Sequence, residues 1–394
     1  MKKNKGFIKG ALCGALAVLL VAGLVSCGSI SGRITGSKGD VVDSKTEEKL
    51  ENLQSLIDSS YMGDVDEDAL QSGIYKGYVD GLSDPYSVYY DEEETKQLLE
   101  TTSGEYSGIG AVLTQNRDTG IITILQVYDD SPAQEAGIKD EDILYKVEGE
   151  EVTGVDLTEV VSHIKGEEGS EVKMTVLRGD ARDEVEVTAV RRKIEAQTVT
   201  YEMKEGQTGY IRVSEFDAVT YDQYKKALED LKDQGMKGLV VDLRNNPGGN
   251  LATVCDMLDL MLPEGLIVYT EDKDGNRSEE KSDDENQFNL PMAVLVNGNS
   301  ASASEIYAGA IQDYGLGRIV GTQTYGKGVV QQIFDLKDGT CVKLTIAEYF
   351  TPKGRNINGK GIAPDVEVEY EADETDPKAD NQLDKALETV KGEM

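Results

Sequence analysis

A serine that attacks a carbonyl needs a base to take its proton and N–H donors to hold the oxyanion that forms. One stretch of the chain is built from such parts. The apolar run Met292 to Val296 leads through Asn297-Gly298 into Ser300-Ala301-Ser302-Ala303-Ser304-Glu305, and helical spacing follows from Ile306 to Gln312. A serine at the start of a helix lies beside backbone N–H groups without intrahelical partners, which suits a developing oxyanion. The single histidine, His163, lies far upstream, so a histidine base would have to be borrowed from another domain. Lys327, 25 residues after Ser302 and set between Gly326 and Gly328, is the economical alternative. A lysine base must be neutral near working pH, and burial achieves this by penalising the charged form. On residue types alone Ser300, Ser302 and Ser304 all stay open as nucleophile, the other two serving as caps or packing groups.

A second glycine-rich element precedes these. The buried-strand run Gly238 to Leu243 ends in Arg244-Asn245-Asn246-Pro247-Gly248-Gly249, whose glycines let backbone approach a substrate carbonyl closely. Five motifs stand in the order GLSDPYS (81–87), YSGIGA (106–111), DLRNNPGG (242–249), SASASE with GTQTYGKGVVQ (300–331), and YFTPKGRNINGKGIAPD (349–365). Together, over roughly Gln71 to Val368, they resemble the carboxyl-terminal processing proteases, tail-specific serine peptidases with a Ser-Lys dyad and a PDZ domain. The resemblance implies Ser302 as nucleophile, Lys327 as base and Gln331 as the partner that orients the lysine. It also implies the N–H groups of Ala303 and Gly248 as oxyanion donors, with neither metal nor organic cofactor. Four residues of straight strand would set Lys327 and Gln331 about 13 Å apart. Their contact therefore needs a bend, which Gly328 allows.

The elements that must position these groups follow in chain order. The fold class expected is a multidomain α+β and α/β chain: an N-terminal helical region, a PDZ-like β domain and an α/β core of the crotonase/Clp-like kind. Lys2, Lys3, Lys5 and Lys9 precede an apolar run to Val25, the pattern of a secretory signal. Leu24-Val25-Ser26-Cys27 resembles a lipoprotein cleavage box, which would lipidate Cys27. The 20 residues Gly6 to Val25 would equally span a bilayer, at about 30 Å as a helix. Either reading places the protein outside the cytoplasm and at the membrane, with 1–27 as leader or anchor and 28–44 as tether. Helical spacing marks 45–102, a region that in the resembled family helps dimerisation, so a homodimer is among the expected assemblies.

Residues 103–192 alternate strand runs with one helix, Leu157 to Ile164, and resemble a PDZ domain. Such a domain adds a peptide's last residues to a strand and catches the terminal carboxylate on backbone N–H groups. Gly108, Ile109 and Gly110 form the matching loop. Lys165 stands where the family commonly carries an arginine thought to couple peptide binding to the active site. The protease core is expected at 193–370, with a charged surface insertion at 270–287 and an acidic, solvated tail at 371–394 that contains a terminal helix.

Composition excludes several classes. A net charge of −34 disfavours nucleic acid, whose phosphates demand basic patches. One histidine, with only Cys255 and Cys341 beyond the leader, leaves no His- or Cys-based metal site, and two buried thiols are expected. Gly321 to Lys327 has P-loop spacing, but Gly328 stands where a hydroxyl should bind Mg²⁺. Ser162 to Lys165 fits SxxK without its companion motifs. The expected activity is endoproteolysis near exposed C-termini of proteins or peptides. A non-catalytic tail-binding scaffold and a small-substrate acyltransferase stand as rivals.

Overall fold

The computed structural model describes residues 41–394 except 284, 373–374 and 377–378. The leader or anchor at 1–27 and most of the tether lie outside the described residues.

Two helices open the described chain, α1 (Ser44–Ser60) and α2 (Glu67–Asp80), each capped by an aspartate, Asp43 and Asp66. Neither contains a buried residue. Their apolar positions recur at helical spacing as expected, but Leu53, Leu56, Ile74 and Tyr78 face solvent. The strand Val88–Tyr90 and helix α3 (Glu92–Ser103) follow. A reciprocal cap between Asp91 and Glu94 starts α3, and Gly104 ends it at φ 68°.

The chain then enters the PDZ unit through Glu105–Gly108 and leaves through Arg192–Glu195, and these two segments pair as one antiparallel ribbon. Inside the unit, five strands between Ala111 and Val190 form an antiparallel sheet, and a sixth short strand, Glu150–Glu151, pairs with Ile143–Val147 off that path. Helices α4 (Pro132–Glu135) and α5 (Leu157–Ile164) close the unit over Ile122, Ile124, Leu144, Val160 and Val176. The helix expected from sequence at 157–164 is thus found with the same bounds.

The protease half is built on a six-stranded sheet in the order Val199–Lys204, Thr208–Val213, Gly238–Asp242, Met292–Val296, Arg318–Gly321, Val366–Glu367. The first pair is antiparallel and the rest are parallel. Gly238–Asp242 and Met292–Val296 are buried along their whole length, as unbroken apolar strands covered on both faces must be. Helices α6 (Thr220–Asp233), α7 (Leu251–Asp259) and α8 (Ala303–Tyr314) contribute to the larger core. Helix α9 (Asn381–Glu393) packs Ala386 and Val390 against Val240, Ala293, Leu295 and Val320. The expected acidic, solvated tail is corrected here: its helix belongs to the core. The acids face outward, while Leu383, Ala386, Leu387 and Val390 recur at helical spacing and bury one face.

A second sheet runs Val88–Tyr90, Cys341–Phe350, Gly265–Asp272, Arg277–Ser282, with Val329–Asp335 also paired to Cys341–Phe350. The charged insertion expected at 270–287 is the tip and outer strand of the hairpin that ends this sheet. The strand Val88–Tyr90, expected within the helical region, is an edge of the protease half. Cys255 and Cys341 are both free and buried.

Candidate active site

The strand Met292–Val296 delivers its chain to the first turn of α8, and each of the three serines there has a different fate. Ser300 Oγ donates to the carbonyl of Leu243 at 2.8 Å and accepts from Asn297 N–H at 2.9 Å. Ser304 Oγ donates to the carbonyl of Asn246 at 3.0 Å. Ser302 Oγ is buried with no hydrogen-bond partner. Ser302 occupies the cap position of α8, yet its hydroxyl does not cap the helix; φ 56°, ψ −114° is a strained backbone for a residue with a side chain. A buried orphan hydroxyl on strained backbone costs stability and stores nothing structural in return.

Glu305 joins the serine to the lysine. Its carboxylate is fully buried and accepts four hydrogen bonds: from Ser302 N–H (2.8 Å), Lys327 N–H (2.9 Å), Gly326 N–H (2.7 Å) and Thr324 Oγ (2.6 Å). Burial pushes its pKa up against these four donors, which all favour the charged form. On the other side the Tyr349 hydroxyl lies against two carbonyls, Ser302 O at 3.0 Å and Lys327 O closer still. One carboxylate and one phenol therefore tie the backbones of Ser302 and Lys327 together at both N–H and C=O. Lys327 itself is buried, and burial pulls its pKa from the ordinary 10.5 to about 8. The neighbouring Lys343 charge acts in the same direction, while Glu305 and Asp84 oppose it.

The glycine loop sits against the serine. A Cβ on Gly248 would lie 2.8 Å from Ser302 Cβ and 3.0 Å from Ala303 N, and Gly248 takes φ 108°. Glycine is required there on both counts. Ala303 N–H stands at the first position of α8, among the amides that the helix leaves unpaired. Gly248 N–H is already engaged, donating to Asn246 Oδ1 at 2.8 Å. Its use for an oxyanion requires Asn246 to let go.

Gln331 is fully buried, on the strand Val329–Asp335. Its Nε2 lies 3.4 Å from both Val329 O and Thr345 Oγ, and its Oε1 has no hydrogen-bond partner. The amide thus accepts nothing from Lys327 in this conformation. The strand carries a register shift between Val330 and Gln331 where it pairs with Cys341–Phe350. Gly328 serves close packing, since a Cβ there would collide with the Asn358 backbone.

Gly108, Ile109, Gly110 and Lys165 come together around a cavity of about 140 Å³, walled also by Leu113, Val161 and Ile164. Helix α5 on its rim ends against Arg191, whose guanidinium donates to the carbonyls of His163 (2.9 Å) and Ile164 (2.8 Å). Lys165 pairs with Glu100 of α3 at 3.1 Å and lies 4.9 Å from the Tyr106 ring centre. Its ammonium is directed to the N-terminal region, not to Ser302. His163 is exposed on α5, in the PDZ unit.

With this geometry in view, comparison with known proteins is direct. Residues 207–368 match the model described as peptidase family S41, 107–189 match a PDZ domain, and 30–95 match the N-terminal domain described for the activating protease CtpB. A probable CtpA-like serine protease of Staphylococcus aureus (strain COL) is 36% identical over 362 residues, 91% of this chain and 71% of that protein. The carboxy-terminal processing protease CtpA of Bacillus subtilis (strain 168) is 37% identical over 342 residues, 86% of this chain and 72% of that one.

The chain belongs to peptidase family S41.

As an S41 member with a PDZ domain it is a serine-type peptidase of the carboxy-terminal processing group. A solved S41 protease from Bacteroides fragilis shares the fold, with a TM-score of 0.52 at 18% identity over 80% of this chain and 90% of that one. Sequence reasoning missed two residues of this S41 site, Glu305 and Tyr349. Ser302-x-x-Glu305 is a capping-box spacing, so the glutamate was detectable as a cap, though not as a clamp on the lysine loop. Tyr349 opens the fifth motif, but nothing local says that it reaches the backbones of Ser302 and Lys327.

Proposed function

We propose that this S41 peptidase cleaves proteins near exposed C-termini with Ser302 as nucleophile and Lys327 as its base. The observation that carries the reading is the double tie between the two backbones, through Glu305 and Tyr349, beside an orphan serine hydroxyl and a buried lysine. Neutral Lys327 takes the proton of Ser302 Oγ as the Oγ–C bond forms. The oxyanion rests on Ala303 N–H and on Gly248 N–H once Asn246 releases it. The C–N bond then breaks, the amine leaves with the proton from Lys327, and water repeats the sequence to free the acyl group from Ser302. Gln331 is the candidate to orient the amine, since its unpaired Oε1 is an acceptor in want of a donor.

The PDZ cavity is the capture site. Its apolar walls suit an apolar last side chain, and the Gly108–Gly110 loop suits the carboxylate. Gating through Lys165 is part of the same reading. A membrane-held, extracytoplasmic location, by lipid at Cys27 or by a spanning helix, is proposed from the leader pattern. The uncovered apolar positions of α1 and α2 support a homodimer formed through them.

The test is digestion of a C-terminally tagged unfolded protein. Wild type shortens it, whereas Ser302→Ala and Lys327→Ala leave it largely uncut over the time wild type needs, while keeping the same melting temperature to within a few degrees. Turnover in either purified variant within about tenfold of the wild-type rate contradicts the dyad. Mass spectrometry of the mature N-terminus distinguishes lipid from span, and light scattering with and without residues 41–80 reads the dimer.

A further inference from the structure

The turn Ser83–Ser87 belongs by chain order to the N-terminal region, yet in the fold it lies in the protease half. It is closed on itself: Tyr86 N–H donates to Asp84 Oδ1 at 3.1 Å, and Ser87 Oγ donates to Asp84 Oδ2 at 2.5 Å. It is also pinned to the second sheet. Thr345 N–H donates to Ser87 Oγ at 3.1 Å, and the next residues pair in register, Val88 with Lys343 and Tyr90 with Cys341. A turn so fixed presents one side chain inward, and the Lys327 nitrogen lies 4.8 Å from the centre of the Tyr86 ring.

We propose that the Tyr86 ring is the cover of the Lys327 amine, a positioning residue that keeps water from the base and fixes its nitrogen, with Asp84 of the same turn adding to the local charge. The N-terminal segment is then a working part of the active site, not only an appendage to it. This rests on Lys327 being the base.

Two effects of the ring compete. Its face attracts the ammonium and favours the charged form. Its bulk excludes water and favours the neutral form. Burial is the leading cause of the depression of Lys327 to about 8, and exclusion is the ring's proposed share in that burial. The other groups facing the amine act with known signs. Lys343, from the strand Cys341–Phe350, lowers its pKa, whereas Glu305 of α8 and Asp84 raise it. Tyr86 is itself pushed up to about 12, by burial first and then by Tyr325 of the lysine's own loop, and Tyr349 stands well above 10. Both phenols are therefore neutral at working pH, and the cover carries no charge of its own.

The experiment is the pH dependence of kcat/KM for the full chain from about pH 6 to 10 on a peptide substrate. Wild type should lose activity below a midpoint near 8. Tyr86→Ala lets water in, so the midpoint rises; a rise of one unit reads as a tenfold loss at pH 7, recovered at pH 10. Tyr86→Phe keeps the ring and should restore the wild-type midpoint. Asp84→Asn removes a charge that favours the ammonium, so its midpoint should fall. If Tyr86→Ala does not fold, Tyr86→Ser carries the same comparison. A midpoint that Tyr86→Ala leaves in place, or that Tyr86→Phe moves as far as Tyr86→Ala does, overturns this proposal alone. A wild type without the acidic limb overturns it together with the assignment of the base.

Discussion

The catalytic centre and the PDZ groove are held in opposite ways. Around Ser302 the polar atoms are buried and heavily constrained, with four donors on one carboxylate and a phenol against two carbonyls. Around Gly108–Gly110 the cavity is apolar, the unit hangs on one two-stranded ribbon, and its polar link to α3 is the half-exposed Lys165–Glu100 pair. Buried hydrogen bonds to a charge are worth about 1.5–3 kcal/mol each, while an exposed ion pair contributes about 0–1 kcal/mol. On the proposed function, a rigid reaction centre beside a loosely tethered reader suits the processing of varied tails, because orientation must be fixed only where bonds break.

Substitutions in the two regions should differ in scale accordingly. The largest effect is expected for Lys327→Ala, which removes the proton acceptor and should lower kcat by about 10²–10⁴-fold with little change in KM. Glu305→Gln comes next. The amide turns N–H groups toward donors, so we expect about 3 kcal/mol lost in urea unfolding and a kcat fall of about 100-fold. Losing the carboxylate charge also lowers the lysine's pKa, so the acidic limb that remains should lie below that of wild type. Gly248→Ala places a methyl against Ser302 Cβ and Ala303 N; kcat should drop by about 100-fold while stability changes less than in Glu305→Gln.

In the reader, Ile109→Asp puts a carboxylate on the apolar wall that faces the peptide's own. KM for a C-terminal peptide should rise about tenfold, with single-turnover cleavage of a saturating substrate nearly unchanged. Glu100→Ala is the smallest perturbation. It should shift stability by less than about 1 kcal/mol and change KM within a few-fold. A large kcat effect from Glu100→Ala would break the contrast, because it would tie the loose region firmly to the tight one.

What the sequence disclosed follows the same division. Ser302, Lys327, Gly248 and the Gly108–Gly110 loop sit inside contiguous motifs, and glycines mark where backbone must come close. Helix Leu157–Ile164 showed because its apolar face has helical period. Tyr349 and Tyr86 also lie in motifs, but their approach to the lysine depends on pairing between distant segments, which leaves no local trace. Helix α9 was hidden by its acids, since net charge says nothing about which face is apolar. The reverse holds in α1 and α2, where apolar spacing is clear but the described chain buries none of it.

The most direct measurement is the rate at which a serine-reactive probe acylates Ser302 as pH is raised. In wild type it should climb to a plateau with a midpoint near 8, and Lys327→Ala should stay slow at every pH. Equal rates in both proteins, or a wild-type rate flat from pH 6 to pH 10, would contradict the neutral-lysine account.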